Sequence, residues 1–373
     1  MIIKSALTVF AAISGLASLM PGDTLNSYVQ TNLVSDLPGV AAHQDADLVN
    51  PWGIVAGPTT PFWISDNGTG LSTLYDGTGT KLSLVVTIPP SGAAPTGVVF
   101  NGTTGFSGSP FIFATENGTI AAWSGGTAAV TKVPAGTGSV YKGLALGDTG
   151  LLYAANFGLG KVDVFNSNFG STTVSGGFAD SSLPAGYAPF DIQNLNGKLY
   201  VTYALQDAAH HDDVAGPGHG FVDVFDFNGN LLQRLTSQGA LNSPWGLALA
   251  PSDFGTFGGD LLVGNFGDGM IDAYNPSSGA FLGNLEDTNG NPLAIQGLWG
   301  LTFGNGAHSQ GTNTLFFTAG IPGPGAVEDH GLYGAIDPSP EPASAGLLIC
   351  ALMAGTGIGV WRRRFGKKPG AVQ

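Results

Sequence analysis

The sequence predicts an all-β protein: a six-bladed β-propeller closed by its own N-terminal strand, with a transmembrane helix after it. Three observations carry this. First, the 373 residues include 60 glycines, and only 10% are charged, against about 25% in an ordinary soluble domain. Few charges among many Gly, Asn, Thr and aromatic residues favour short strands joined by tight turns. Second, one phrase recurs six times: PWGIVAG from Pro51, PTGVVFN from Pro95, YKGLALG from Tyr141, PFDIQNL from Pro189, PWGLALA from Pro244 and LWGLTFG from Leu298. The copies lie 44 to 55 residues apart, the spacing of propeller blades. Third, five copies are followed by three more strand-like stretches but the sixth by only two, while NSYVQTNLVSD near the start has no blade of its own.

In chain order, residues 1–22 read as a secretory signal peptide. Lys4 precedes an apolar run from Ala6 to Met20, with small residues Ala17 and Ser18 near its end. A buried N-terminal helix is the alternative. The propeller spans 26–338. After each inner-strand phrase comes a second strand, such as PFWISDNG, PFIFATENG or DLLVGNFG. A third follows, and KVDVF and FVDVFDF show the period of two expected of strands. Asp76-Gly77, Asn228-Gly229 and Asn289-Gly290 are turn pairs that supply positive φ. KLSLVVTIP and LLQRLTSQG are fourth strands. The sixth blade lacks one, so Tyr28 to Asp36 should be its outer strand, tying the ends together and covering an open edge.

Residues 339–373 form a tail. Pro340-Glu341-Pro342 precedes an apolar run over 343–361, about long enough to cross a bilayer. Arg362, Arg363 and Arg364 follow, with Lys367 and Lys368 behind; a basic cluster there stays cytoplasmic and leaves the body outside the inner membrane. Cys350, the sole cysteine, lies in this run, so no intramolecular disulfide forms.

Net charge is −14, and six of the 12 basic residues sit in the terminal segments. The body therefore lacks the Lys and Arg needed to face phosphates, which excludes sequence-independent binding of nucleic acid. There is no G-x-S-x-G elbow and no Walker loop.

Aligning the second strands places Asp66, Glu116, Asn156, Tyr203, Asn265 and Ala319 at one position. Asp66, Glu116, Asn156 and Asn265 form an oxygen-rich ring suited to Ca²⁺ or another divalent cation. Asp and Asn at strand ends also satisfy turn backbone, and both readings stand. Two longer loops should rise on the same face. AHHDDVAGPGHG carries His210, His211, Asp212, Asp213 and His219; GIPGPGAVEDHG carries Glu328, Asp329 and His330. They could hold Zn²⁺ or Fe²⁺, or be solvated turns. Trp52, Trp245 and Trp299 could stack on sugars or serve as core.

The tripeptide Pro340-Glu341-Pro342, the apolar span and the arginine cluster together resemble the PEP-CTERM sorting signal of exported bacterial proteins. That resemblance implies an exosortase as processing partner. SYVQTNLVSDLPG and NPWGIVAGPTTPFWISDNGTG resemble an exported bacterial propeller family of unknown function, which carries no catalytic residues to transfer. The expected function is therefore a binding or structural module. It would be membrane-anchored by its C-terminus, then cell-surface or extracellular, with an extracellular polysaccharide or surface protein as partner. The rival is a metal-dependent hydrolase of the lactonase or gluconolactonase type. There Asp66, Glu116, Asn156 and Asn265 would hold a cation that activates water, with Asp191 as base. An NHL-like scaffold for a basic protein partner is a third reading.

Overall fold

FWISD, the second strand of the first blade, shows why these strands are apolar on both faces. Phe62 and Ile64 point into one core cluster, with Phe316 and Tyr333. Trp63 points the other way, into a second cluster with Phe111 and Phe113. Successive side chains of a strand alternate in direction. A blade lies between two others, so both directions are interior. The Trp63 and Phe111 rings stack at 3.9 Å between the first and second blades.

The computed structural model describes residues 26–339, and Asn26–Ser339 form one unit. The fold is a six-bladed β-propeller. The first blade comprises Pro51–Val55, Phe62–Asp66, Leu71–Tyr75 and Lys81–Thr87, paired in that order from the inside outwards. Four further antiparallel sheets of the same order begin at Pro95, Tyr141, Tyr187 and Pro244. Each inner strand packs against the next, and Leu298–Phe303 of the sixth blade packs back on Pro51–Val55. The fourth strand of the third blade is only Ser171–Thr172.

The sixth blade has Leu298–Phe303, Leu315–Ala319 and Leu332–Pro338 from the C-terminal side. Its outer strand is Tyr28–Ser35, antiparallel to Leu332–Pro338 from the pair Tyr28↔Pro338 to the pair Ser35↔Leu332. His43–Gln44 then covers the outer edge in parallel. Tyr28 locks this closure. It is 1% exposed, its ring lies 4.9 Å from that of Phe254, and its hydroxyl donates to the Phe254 carbonyl at 3.2 Å.

Gly229 and Gly290 take the positive φ of 70° and 79° that their turns require. In the first blade that role falls on Gly79 at 83°, not on Gly77. Asp76 Oδ1 instead accepts the backbone N–H of Thr78 and Thr80 across this turn.

The signal peptide over 1–22, the helix over 343–361 and the sorting residues Pro340, Glu341, Pro342, Arg362, Arg363 and Arg364 lie outside the described residues. Among the described residues no helix is long and apolar enough to cross a membrane.

Candidate functional site

The end of the channel where the inner strands begin is built from two successive layers. In the second position of the six inner-strand phrases stand Trp52, Thr96, Lys142, Phe190, Trp245 and Trp299. Trp52 stacks on Trp299 at 3.5 Å, and Trp245 meets both edge-on at 6.0 and 5.8 Å. The tryptophans thus fill the channel and pack on one another. None is more than 2% exposed, so no sugar can stack on them.

Lys142 is the one charged member of that layer. Its ammonium pairs with Glu116, lies 3.3 Å from Asp212 Oδ1 and sits 5.0 Å above the Trp52 ring. The Lys142 side chain is 2% exposed. Burial works against its charge, but Glu116 and Asp212 more than restore it and hold the ammonium above the usual lysine range. A hydrogen-bond chain runs away from Glu116. Asn67 Nδ2 donates to Glu116 Oε2 at 2.9 Å; Asn50 Nδ2 donates to Asn67 Oδ1 at 3.2 Å and to Glu328 Oε1 at 2.9 Å. Trp299 Nε1 donates to Asn50 Oδ1 at 3.2 Å, tying the polar layer to the aromatic one. Burial, with the Glu116 charge near it, pushes Glu328 up to about 7. Burial also acts to raise Asp212, but Lys142 and His211 outweigh it and hold that carboxyl below its usual range. His211 Nδ1 is 2.9 Å from Asp212 Oδ1.

The oxygen ring does not form as the sequence alignment expects. In register, the inner-strand starts pair with Asp66, Thr115, Asn156, Tyr203, Asn265 and Ala319. Glu116 lies one residue later, past the end of its strand Phe111–Thr115 and in the turn that follows. Asp66, Asn156 and Asn265 bond inside their own blades. Asp66 Oδ2 accepts from Thr73 at 2.8 Å, Asn156 Nδ2 donates to Asp163 at 2.7 Å, and Asn265 Nδ2 donates to Asp272 at 3.0 Å. In each case the partner is seven residues on, across the hairpin. Asn265 and Asn156 also accept backbone N–H groups of Asn242 and Leu159, so the turn role holds for them.

Of the loop residues, His211 and Asp212 join Glu116: one ligand atom of each lies within 4.8 Å of the others, the geometry of a small cation site. His210 is exposed on a turn with φ of 56°. His219 is held inside its own loop, with Nδ1 2.7 Å from the Val214 carbonyl. His330 turns to the closing segment, its Nδ1 2.6 Å from Asp36 Oδ2. Asp191 lies in the third position of its phrase, below the tryptophans. It cannot serve as a base for chemistry beside Glu116.

Lys142, Asn50 and Asn67 escaped the sequence reading. The signal for Lys142 was present: a lysine in YKGLALG where three other copies carry tryptophan.

Over 312 residues the chain is 34% identical to an uncharacterized protein of Acanthamoeba polyphaga mimivirus, covering 78% of this chain and 76% of that one. A second uncharacterized protein of the same virus is 33% identical over 309 residues, covering 77% and 80%. The chain belongs to their family. No family model matches it. These findings overturn the resemblance to bacterial exosortase substrates and to an exported bacterial propeller family: the relatives shown, over most of the chain, are uncharacterized viral proteins. The propeller-family resemblance covers most of the body and the sorting signal the tail alone. A solved protein of unknown function from Bacteroides thetaiotaomicron shares the fold, with TM-score 0.53 and 13% identity, covering 83% of this chain and 77% of that one.

Burial sets how stability responds to pH. It pushes Asp223 and Asp272 up to about 6 and holds Asp66 and Asp191 well above the usual carboxylate range. Each such group keeps a proton in the native state that the unfolded chain has already released above about pH 4. The native state therefore binds more protons, and stability falls as pH rises through these values. Asp45, Asp76 and Asp212, held low, act in the opposite sense and lose stability only on acidification below their unfolded values. Thermal melts should give a maximum at about pH 4, where the two sets balance, and a midpoint at least about 5 °C lower at pH 8. A midpoint rising from pH 5 to pH 8 would contradict this balance.

Proposed function

We propose that the protein is a binding module, and that it recognises a basic ligand or partner at the channel mouth rather than carrying out metal-dependent hydrolysis. The observation that carries this is the place of Lys142. Its ammonium lies against Glu116 and Asp212, two of the three side chains that could hold an ion. A divalent cation there would face a buried positive charge, and it would have to take carboxylates already paired. What remains open to solution is negative: Asp212 is 67% exposed beside a half-exposed His211. With a chain charge of −14, this favours a basic partner and a salt-sensitive complex. The apolar run near the N-terminus supports export as part of the same proposal, for which fractionation and N-terminal sequencing of the mature protein are the direct measurements.

The deciding measurement is metal content of the purified full chain by mass spectrometry after dialysis without chelator. Substoichiometric metal is expected, with thermal stability unchanged by added Ca²⁺ or Zn²⁺. About one tightly held divalent ion per chain, lost in His211→Ala, would replace this reading with the hydrolase.

A further inference from the structure

Below the tryptophan layer the channel opens into a cavity of about 380 Å³. It is bounded by inner-strand positions from the third onward, together with Trp245 of the layer above. Five blades place glycine third: Gly53, Gly97, Gly143, Gly246 and Gly300. At Gly53, Gly97, Gly246 and Gly300 a Cβ would come within 2.6 Å of the next inner strand's backbone, so the ring closes only around glycine. The fourth blade breaks the pattern with Asp191. Its side chain fits because Gly143 faces it: a Cβ on Gly143 would lie 2.1 Å from Asp191 Oδ1.

Asp191 is 2% exposed and lines the cavity. Gln193 Nε2 donates to its Oδ2 at 3.2 Å. Among the described residues the carboxylate makes no ion pair. The rest of the wall mixes apolar residues, including Ile54, Val98, Leu144 and Leu301, with the polar side chains of Gln193, Asn194 and Thr302. A buried carboxyl costs stability unless it is paired, and nothing in the packing of the fold calls for it, since the other five blades use glycine there.

We propose that this cavity binds a small organic cation, a primary ammonium on an apolar body, with the Asp191 carboxylate as its counter-ion. The volume falls in the range of small-molecule sites, and apolar surface with a few convergent polar groups and a charged residue is their usual make-up. A hard metal ion fits less well, because Ca²⁺ takes six to eight oxygen ligands, several of them usually carboxylates, and Asp191 is the one carboxylate on this wall. The site is separate from the Glu116 cluster, with the tryptophans between them, and does not rest on the function proposed for the mouth. Burial holds the Asp191 carboxyl well above its usual range, so an arriving ammonium must draw off that proton. Affinity should therefore rise with pH.

The test is calorimetric titration of the full chain with cyclohexylmethylammonium and with the neutral cyclohexylmethanol. Saturable binding of the ammonium is expected, about tenfold or more tighter than that of the alcohol. Asp191→Asn and Asp191→Gly should each lose that preference; the glycine variant carries the residue used by the other five blades and so keeps the ring. The proposal is overturned if the ammonium does not saturate, or if either folded variant binds it as the wild type does, which would place the binding elsewhere. Should both variants fail to fold, a wild-type preference that stays flat from about pH 5 to pH 8 overturns it, and one that rises with pH supports it.

Discussion

Deleting residues 26–36 from the chain should abolish the soluble monomer. The deletion strips the sixth blade of its outer strand and exposes the backbone of Leu332–Pro338 as an open edge. An unpaired edge is a template for pairing with another chain. It also removes Tyr28, Leu33 and Val34, which are 1%, 7% and 1% exposed, and opens the clusters on both sides of the blade. Burying each such side chain contributes roughly 1.5–3 kcal/mol, which together approaches the whole stability of many domains, about 5–15 kcal/mol. Size-exclusion chromatography should show aggregate, and adding a peptide with the sequence of residues 26–36 during refolding should recover monomer. Tyr28→Ala is a graded version, expected to cost about 3–5 kcal/mol. A soluble monomer melting at the wild-type temperature after the deletion would mean that the ring is held by its inner strands alone.

Lys142→Met should destabilise the propeller by about 3–5 kcal/mol, the cost of leaving a buried ion pair with one partner. Glu116 is 14% exposed and would keep a charge with no cation beside it; Asp212, 67% exposed, would largely return to water. For a body of this size the loss corresponds to a melting midpoint lower by roughly 6–15 °C. Adding Glu116→Gln to the methionine variant should recover at least about half of the loss, because the uncompensated charge is then gone. If the double variant is no better than the single one, the lysine acts through packing on Trp52 and Phe157, which its ammonium also overlies at 5.0 and 6.0 Å. The pair then adds little.

The repeat and the closing strand were legible because they follow from local rules. A strand buried on both faces reads as an apolar run, glycine marks where chain meets chain, and a sixth blade short of one strand needs a strand from elsewhere. The mouth was legible only in part. Aligning the phrases PFWISDNG and PFIFATENG on their closing Asn-Gly puts Glu116 level with Asp66; backbone pairing puts Thr115 there instead. Side-chain chemistry cannot set register when the neighbouring residue in ATENG is equally polar. His330 was placed with the metal candidates because GIPGPGAVEDHG mirrors AHHDDVAGPGHG. Its partner turned out to be Asp36, nearly three hundred residues earlier, a contact visible only after the ring has closed. Lys142 and Asp191 were both on view as the odd members of a sixfold phrase. Read across the blades, position by position, such exceptions point to the channel residues more directly than any motif.

The closing pair also determines how the propeller bears load. Ser339 N–H donates to the Ser27 carbonyl at 2.8 Å, so the two ends of the body leave the same corner of one blade. Tension applied to both ends would act on Tyr28↔Pro338 first and then on each following pair in turn, as a zip opens, with one rung resisting at a time. Tension applied at one end only, with the other free, would not load that seam. The ring is thus mechanically weak as a link within a chain under strain, and sound as a head carried on a single tether.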